Sequence, residues 1–319
     1  LASGSTSIGV VTDADLHPFQ TISTFEKTLE FLRTHEPQCA AEVITHEALL
    51  QDFRAMKDYA YSCERVYSSE RWCLTGESGV SIDPLYSSGG DLMAISNGLI
   101  TDLVERDRRG EDVSALADIH NNIYLLLADM WLLIYQGQFP VMGNAQVMVA
   151  KVLWDTIIYW AVPGLLFFHD QVRRMIESPA VLTGLVRVRT FHARVEQFFQ
   201  EWSAIDNPSV TDHFADPYVL FDFVTDLHRG MAAGLSNEDL EEQLARNVTL
   251  LEQLAGQLAA IVIDKLSESR DDAITGQLAR WREDELLADL VEKYRAGAYE
   301  TPVDGTWITF GGPPTRVSA

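Results

Sequence analysis

Positive charge is what this chain has least of. Its 319 residues include 24 lysines and arginines against 47 aspartates and glutamates, a formal net charge of −23. Nucleic acid is excluded as a partner on that ground, because gripping phosphates takes clustered cations. The surplus bears on solubility and partner choice, not on fold. Cysteine is also scarce. Cys39, Cys63 and Cys73 form no C-x-x-C pair and are odd in number, so a disulfide framework and a zinc site are not expected and reduced thiols are. The most apolar run, Ile157 to Phe168, falls short of the roughly 20 residues a bilayer requires. Asp155 and Lys151 stand just upstream of it and Pro163-Gly164 interrupt it, which predicts a buried, kinked helix and no membrane contact. The opening LASGSTSIGVV has neither a basic start nor an apolar core, so it does not read as a secretory leader. A cytoplasmic location is the expectation.

The first third mixes element types. Ser7 to Val11 is β-branched and short, the pattern of a strand. TFEKTLEFLR (24–33) puts Phe25, Leu29 and Leu32 at helical spacing, and CAAEVITHEALL forms a second helical stretch after Pro37. DYAYSCERVYSS (58–69) alternates aromatic and polar residues, the mark of a half-buried strand, and RWCLTG reads as the next. From Asp91 to Gly110 the pattern is helical, and afterwards it is helical almost throughout. In 236–268, Ser236 and Asp239 resemble a capping pair, and Leu240, Leu244, Val248, Leu251, Leu254, Leu258 and Ile261 recur every three or four residues. LARWREDELLADLVEKYRAG (278–297) predicts a further helix, paired with the preceding one as a hairpin. The expected organisation is an α/β piece over residues 1–110, a helical domain over 111–310 and a flexible tail over 311–319.

One stretch, RWCLTGESGVSIDPLYSSGG (71–90), is odd for ordinary packing. A strand that ends in Gly76 lets another molecule approach the backbone. Glu77 directly after it can accept hydrogen bonds from sugar-like hydroxyls, as carboxylates do in dinucleotide sites. Gly89 and Gly90 before a helix leave its first N–H groups open to an anion. Spacing alone leaves a second reading: a strand-turn-helix with Asp83-Pro84 as turn chemistry and Ser87 as the helix cap.

The segment WCLTGESGVSIDPLYSSGGDLMAISNGLITDL (72–103) closely resembles the second flavin-contacting motif of flavin-dependent halogenases and related FAD monooxygenases. LASGSTSIGVV, THEP and DFRAMKDYAYSCERV also look familial. The resemblance covers residues 1 to about 110 well and the helical remainder loosely. It implies an α+β fold: part of a Rossmann-like FAD-binding monooxygenase fold, followed by a mostly helical C-terminal domain. It further implies that Gly76, Glu77, Asp83, Pro84, Ser87, Gly89 and Gly90 bind FAD. Glu77 would meet the ribityl hydroxyls, and the helix after Gly89-Gly90 would face the ring edge. The backbone of Ser88 and Gly89 would hold chloride or bromide. The implied reaction combines reduced flavin, oxygen and halide to make hypohalous acid, which reaches a lysine and halogenates an electron-rich ring. A flavin reductase would be the partner, and the substrate a small aromatic or carrier-tethered molecule.

Two departures qualify this. Halogenases of free tryptophan carry Glu just before the Ser-x-Gly step, where this chain has Tyr86. No G-x-G-x-x-G or Trp-x-Trp-x-Ile-Pro motif occurs, and the lysines (Lys27, Lys57, Lys151, Lys265, Lys293) lie outside the family's catalytic position. The chain therefore reads as the C-terminal portion of a longer enzyme, cut just after the tryptophan motif, inactive and poor at binding FAD alone. The alternatives are a monooxygenase that hydroxylates without halide and a catalytically silent docking module.

Other candidates carry less. His213, Asp216, Asp222, Asp226 and His228 cluster in 212–230, but without a metal-ligand spacing they read as a solvated acidic face, and no metal is expected. His120 and His169 read as hydrogen-bonded core residues. Trp131, Trp154, Tyr159, Trp160, Phe167 and Phe168 suit either a substrate pocket or helical packing.

Overall fold

The structure is a computed structural model in which residues 1–208, 218 and 221–298 are described. It corrects the expected fold class. The chain is mostly helical, and the described residues contain a single two-stranded antiparallel sheet, Tyr67–Ser68 (β1) against Trp72–Cys73 (β2). Such a sheet provides no crevice between parallel strands, so the Rossmann-like, α+β assignment is withdrawn. The physical reason lies in the supposed strands. Ser7 to Val11 is not a strand, and the alternating run 58–69 forms only an isolated bridge at Tyr61 and the two-residue strand at its end. Arg71 in the left-handed region (φ 62°) and Gly76 (φ 58°) turn the backbone out of extension on either side of β2.

The chain divides into two compact units, Leu1–Ser62 and a second that starts at Cys63. In the first, α1 (Phe25–His35) begins where Thr24 Oγ1 accepts from Lys27 N, and α2 (Pro37–Thr45) begins at a proline, which suits a first turn. Leu29, Leu32 and Ala40 meet in a small core that Val10, Phe25, Cys39 and Val43 border.

The second unit has one continuous core running from Val66 to Val291. Residues 63–110 share it: α3 (Ser88–Arg108) buries Leu92, Ile95 and Leu99 and packs on α4 (Ser114–Leu133). The apolar run forms α5 (Ala145–Tyr159), which continues through a π turn at Trp160–Gly164, where Pro163 sits, to Phe168. By length and composition this run is the one membrane-span candidate among the described residues, but 67% of its apolar window is buried inside the protein. The long α6 (Pro179–Ile205) lies against α4 and α5, and α7 (Asp222–Gly230) follows.

The centre is α8 (Asn237–Leu266), which Ser236 caps by accepting from Asp239 N. The expected stripe is there, yet residues 251–260 are buried on every side, because α6 and the C-terminal helices flank it. Leu251, Leu254 and Leu258 are wholly buried, each stabilising by about 2 kcal/mol. The helix expected over 278–297 is two: α9 (Asp272–Glu283) and α10 (Glu285–Arg295), divided where Asp284 turns extended and caps α10 by accepting from Leu287 N. α10 crosses α8 so closely that a Cβ on Gly256 would lie 2.3 Å from the Leu290 carbonyl oxygen.

Candidate functional site

The stretch 71–90 folds as a loop that leads β2 into the start of α3. Gly76 opens a short 3-10 turn in the left-handed region, which its lack of a side chain permits. Glu77 follows with its side chain at the surface, and its Oε1 lies 3.2 Å from where a Cβ on Gly89 would stand. The acid thus faces the first turn of α3 over a glycine, and a side chain at 89 would press into the carboxylate. Nothing lies within 4 Å of a Cβ at Gly90. The helix start is open in a second sense: Ser87 occupies the cap position without a side-chain capping bond, and both Tyr86 and Ser87 are left-handed (φ 62° and 60°). The turn part of the second reading does hold, since Asp83 Oδ1 accepts from Leu85 N at 2.9 Å. Pro84 is exposed beside it.

Carboxylates crowd this helix start. Besides Glu77 and Asp83, Asp91 occupies the first turn, accepts from Tyr159 Oη at 3.1 Å, and is raised above the usual carboxyl range by burial. Ser88, expected with Gly89 at the halide, is buried. Its Oγ lies 2.7 Å from Tyr135 Oη, which also donates to the Leu85 carbonyl at 2.5 Å. That crowding weakens the pull of the helix dipole on a free anion.

Beneath the loop lies a set of residues that the motif did not single out. The Lys151 side chain is wholly buried and places Nζ 2.7 Å from Glu196 Oε2 and 3.0 Å from Asp155 Oδ2, both carboxyls also buried. His192 Nδ1 accepts from Trp154 Nε1 at 3.0 Å and stands 3.8 Å from Glu196 Oε1. Gln138 Nε2 donates to the Glu196 carbonyl oxygen at 3.1 Å. Tyr86, 42% exposed, faces Asp155 from above.

Charge decides the protonation states. Burial and the neighbouring Asp155 push Glu196 well above the carboxylate range. Burial alone would lower Lys151, but the two acids outweigh it and hold the ammonium. Burial, with Lys151 adding to it, keeps His192 neutral, at about 3. Burial and then Asp155 keep the Tyr86 phenol un-ionised. The signal for this set was two pairs at i,i+4, Lys151/Asp155 on an otherwise apolar helix and His192/Glu196 on the buried face of a mixed one.

The remaining candidates fall as follows. His120 Nε2 pairs with Asp102 Oδ2 at 2.9 Å, and both His169 ring nitrogens face main-chain carbonyls, at 2.9 and 2.7 Å. Asp222 and Asp226 are exposed, while His228 stacks on Trp160 at 4.1 Å; His213 and Asp216 lie outside the described residues. No group of three or more metal-ligating side chains occurs among the described residues. The aromatic set is split: Trp131 and Trp154 are core, whereas Phe167 and Phe168 are exposed. No family model, curated protein or solved structure matches this chain.

Proposed function

We propose that this chain supplies the ribityl and ring-edge wall of a flavin site to an FAD-dependent oxidoreductase resembling the flavin-dependent halogenases. The observation that carries the reading is the placement of Glu77 over Gly89 at an uncapped helix start, with open space at Gly90. A carboxylate there suits polyol hydroxyls, and main-chain N–H groups of the first turn suit a ring edge that gains negative charge. When bound, reduced flavin would supply oxygen activation. Glu77 would orient the ribityl chain, Gly76 and Gly89 would admit it, and Gly90 would leave room for the ring edge. A flavin reductase would be the partner, an electron-rich aromatic or carrier-tethered molecule the substrate, and the cytoplasm the location.

Within this class, oxygen transfer without halide is favoured over halogenation. Glu77, Asp83 and Asp91 surround the helix start, and Asp91 already occupies its first turn. A chloride would have to enter against three acids, which raises its energy there.

Flavin titration tests the reading. FAD, FMN and riboflavin are expected to quench alike and weakly, with Kd above about 1 μM, since the described residues offer no parallel-sheet crevice for the adenylate half. Gly89→Val is expected to abolish the quench by filling the space before Glu77. Quenching that survives Gly89→Val, or no quenching by any of the three, would sink the proposal.

A further inference from the structure

The buried ionic set beneath the loop is larger than anchoring two helices requires, and it is incompletely satisfied. Asp155 Oδ2 meets Lys151 Nζ at 3.0 Å as an ion pair, but neither it nor Oδ1 receives a well-directed donor, and Glu196 Oε1 receives none. His192 is fixed as the Nε2–H tautomer by the indole donating to Nδ1, yet Nε2 also lacks a partner. All three residues are at least nine-tenths buried. Native interiors leave few such atoms, and those they leave commonly mark a role in chemistry. One half-exposed residue borders the set. Tyr86, on the loop into α3, has its phenol toward Asp155 and 42% of its surface in solvent, and a strained left-handed backbone holds it there.

The geometry points to a proton-relay site: Glu196 and Asp155, bridged by Lys151, hold a proton that passes through the Tyr86 hydroxyl to a ligand oxygen or nitrogen seated beside the loop. The transfer balances as follows. The Tyr86 O–H bond breaks as its proton goes to the ligand atom, and a new O–H bond forms at the same oxygen with the proton from the carboxyl pair. The ligand ends protonated, Tyr86 ends neutral, and both carboxylates end ionised. Lys151, within 3.0 Å of each, faces the negative charge left behind. The charged and titratable groups around the path are Asp83, Tyr86 and Asp91 from the loop and the start of α3, Tyr135 after α4, Lys151 and Asp155 on α5, and His192 and Glu196 on α6. The placing of a ligand beside the loop rests on the flavin reading; the relay does not, and its test needs no flavin.

Infrared difference spectroscopy of the full chain provides that test. At pH 7 the wild type is expected to show a protonated-carboxyl C=O band that Glu196→Gln removes. Should that variant not fold, Asp155→Asn is expected to weaken the same band, because it relieves the like charge that adds to burial in keeping Glu196 protonated. In D2O the band shifts as the stored proton exchanges, and Tyr86→Phe is expected to leave the band intact while slowing its exchange by about 100-fold. A purely structural ion triad would show no such dependence. Absence of the band at pH 7, or equal exchange rates in wild type and Tyr86→Phe, would overturn the relay.

Discussion

Two of the buried ionic clusters among the described residues solve the same problem differently. Asp102, His120 and Arg106 join α3 to α4. Asp102 accepts from Arg106 Nε at 3.0 Å and faces His120 at 2.9 Å, and the Arg106 side chain is one-third exposed, so water shares the charge. His120 bonding and the Arg106 guanidinium outweigh burial and hold Asp102 below the usual carboxyl range, while burial keeps His120 low. Lys151, Asp155, Glu196 and His192 join α5 to α6 with no exposed member, one cation between two acids, and several unpartnered atoms. The first is a clamp whose carboxylate is satisfied and which leaves one buried atom, His120 Nδ1, without a partner. The second costs desolvation that its bonds do not return in full, which is what a site kept for chemistry looks like.

Substitutions can break this contrast. Lys151→Met leaves two acids facing each other without a cation, and chemical denaturation is expected to show a loss of about 3–5 kcal/mol. Replacing the three charged residues together by Met and Leu is expected to restore wild-type stability or exceed it, because the apolar substitutes need no solvation. A triple variant as unstable as Lys151→Met would show the cluster to be a structural necessity.

The next effect is smaller and depends on pH. His192 is depressed, so its contribution is complete above 6.5 and is lost as pH falls toward about 3. Glu196 is raised, so its contribution is complete below 4.5 and is lost as pH rises through its folded value. Between 4.5 and 6.5 the two oppose each other. His192→Phe removes one of the opposing groups, while the likewise depressed His120 remains, so relative to wild type the variant should gain stability as pH falls, by up to about 1.4 kcal/mol per unit. Denaturation midpoints taken across that window check the sign, and a fall would contradict it.

The smallest change belongs to the other cluster. Asp102→Asn keeps an oxygen for His120 and loses only the ion pair to a partly solvated arginine, so about 1 kcal/mol is expected at neutral pH. Thermal unfolding measures it. A loss matching that of Lys151→Met would erase the distinction between the clusters.

Much of the helical half was legible in the sequence because helices announce themselves locally. Ser236 caps where its pairing with Asp239 suggested, and the leucines of α8 face the core as their spacing required. The strands were legible in place but not in extent: β1 falls within 58–69 and β2 within RWCLTG, yet alternation records side-chain types and not a partner, and only two residues of each pair. The break at Asp284 was missed for a related reason: one acid both caps α10 and receives Arg194 Nε at 2.7 Å, a tertiary choice that periodicity cannot see. At the site, the pairing of Glu77 with the glycines of α3 could be anticipated from sequence order. Lys151 and Glu196 could not, since 45 positions separate them and only packing of α5 on α6 joins them.

The backbone at Tyr86 and Ser87 has one more consequence. Two successive side-chain-bearing residues in a region suited to glycine store about 1–3 kcal/mol apiece, so the loop resembles a cocked latch. Were it released, the phenol would leave its acid and the interior charges would meet water, so on the proposed relay closing the latch and keeping the proton would be a single event.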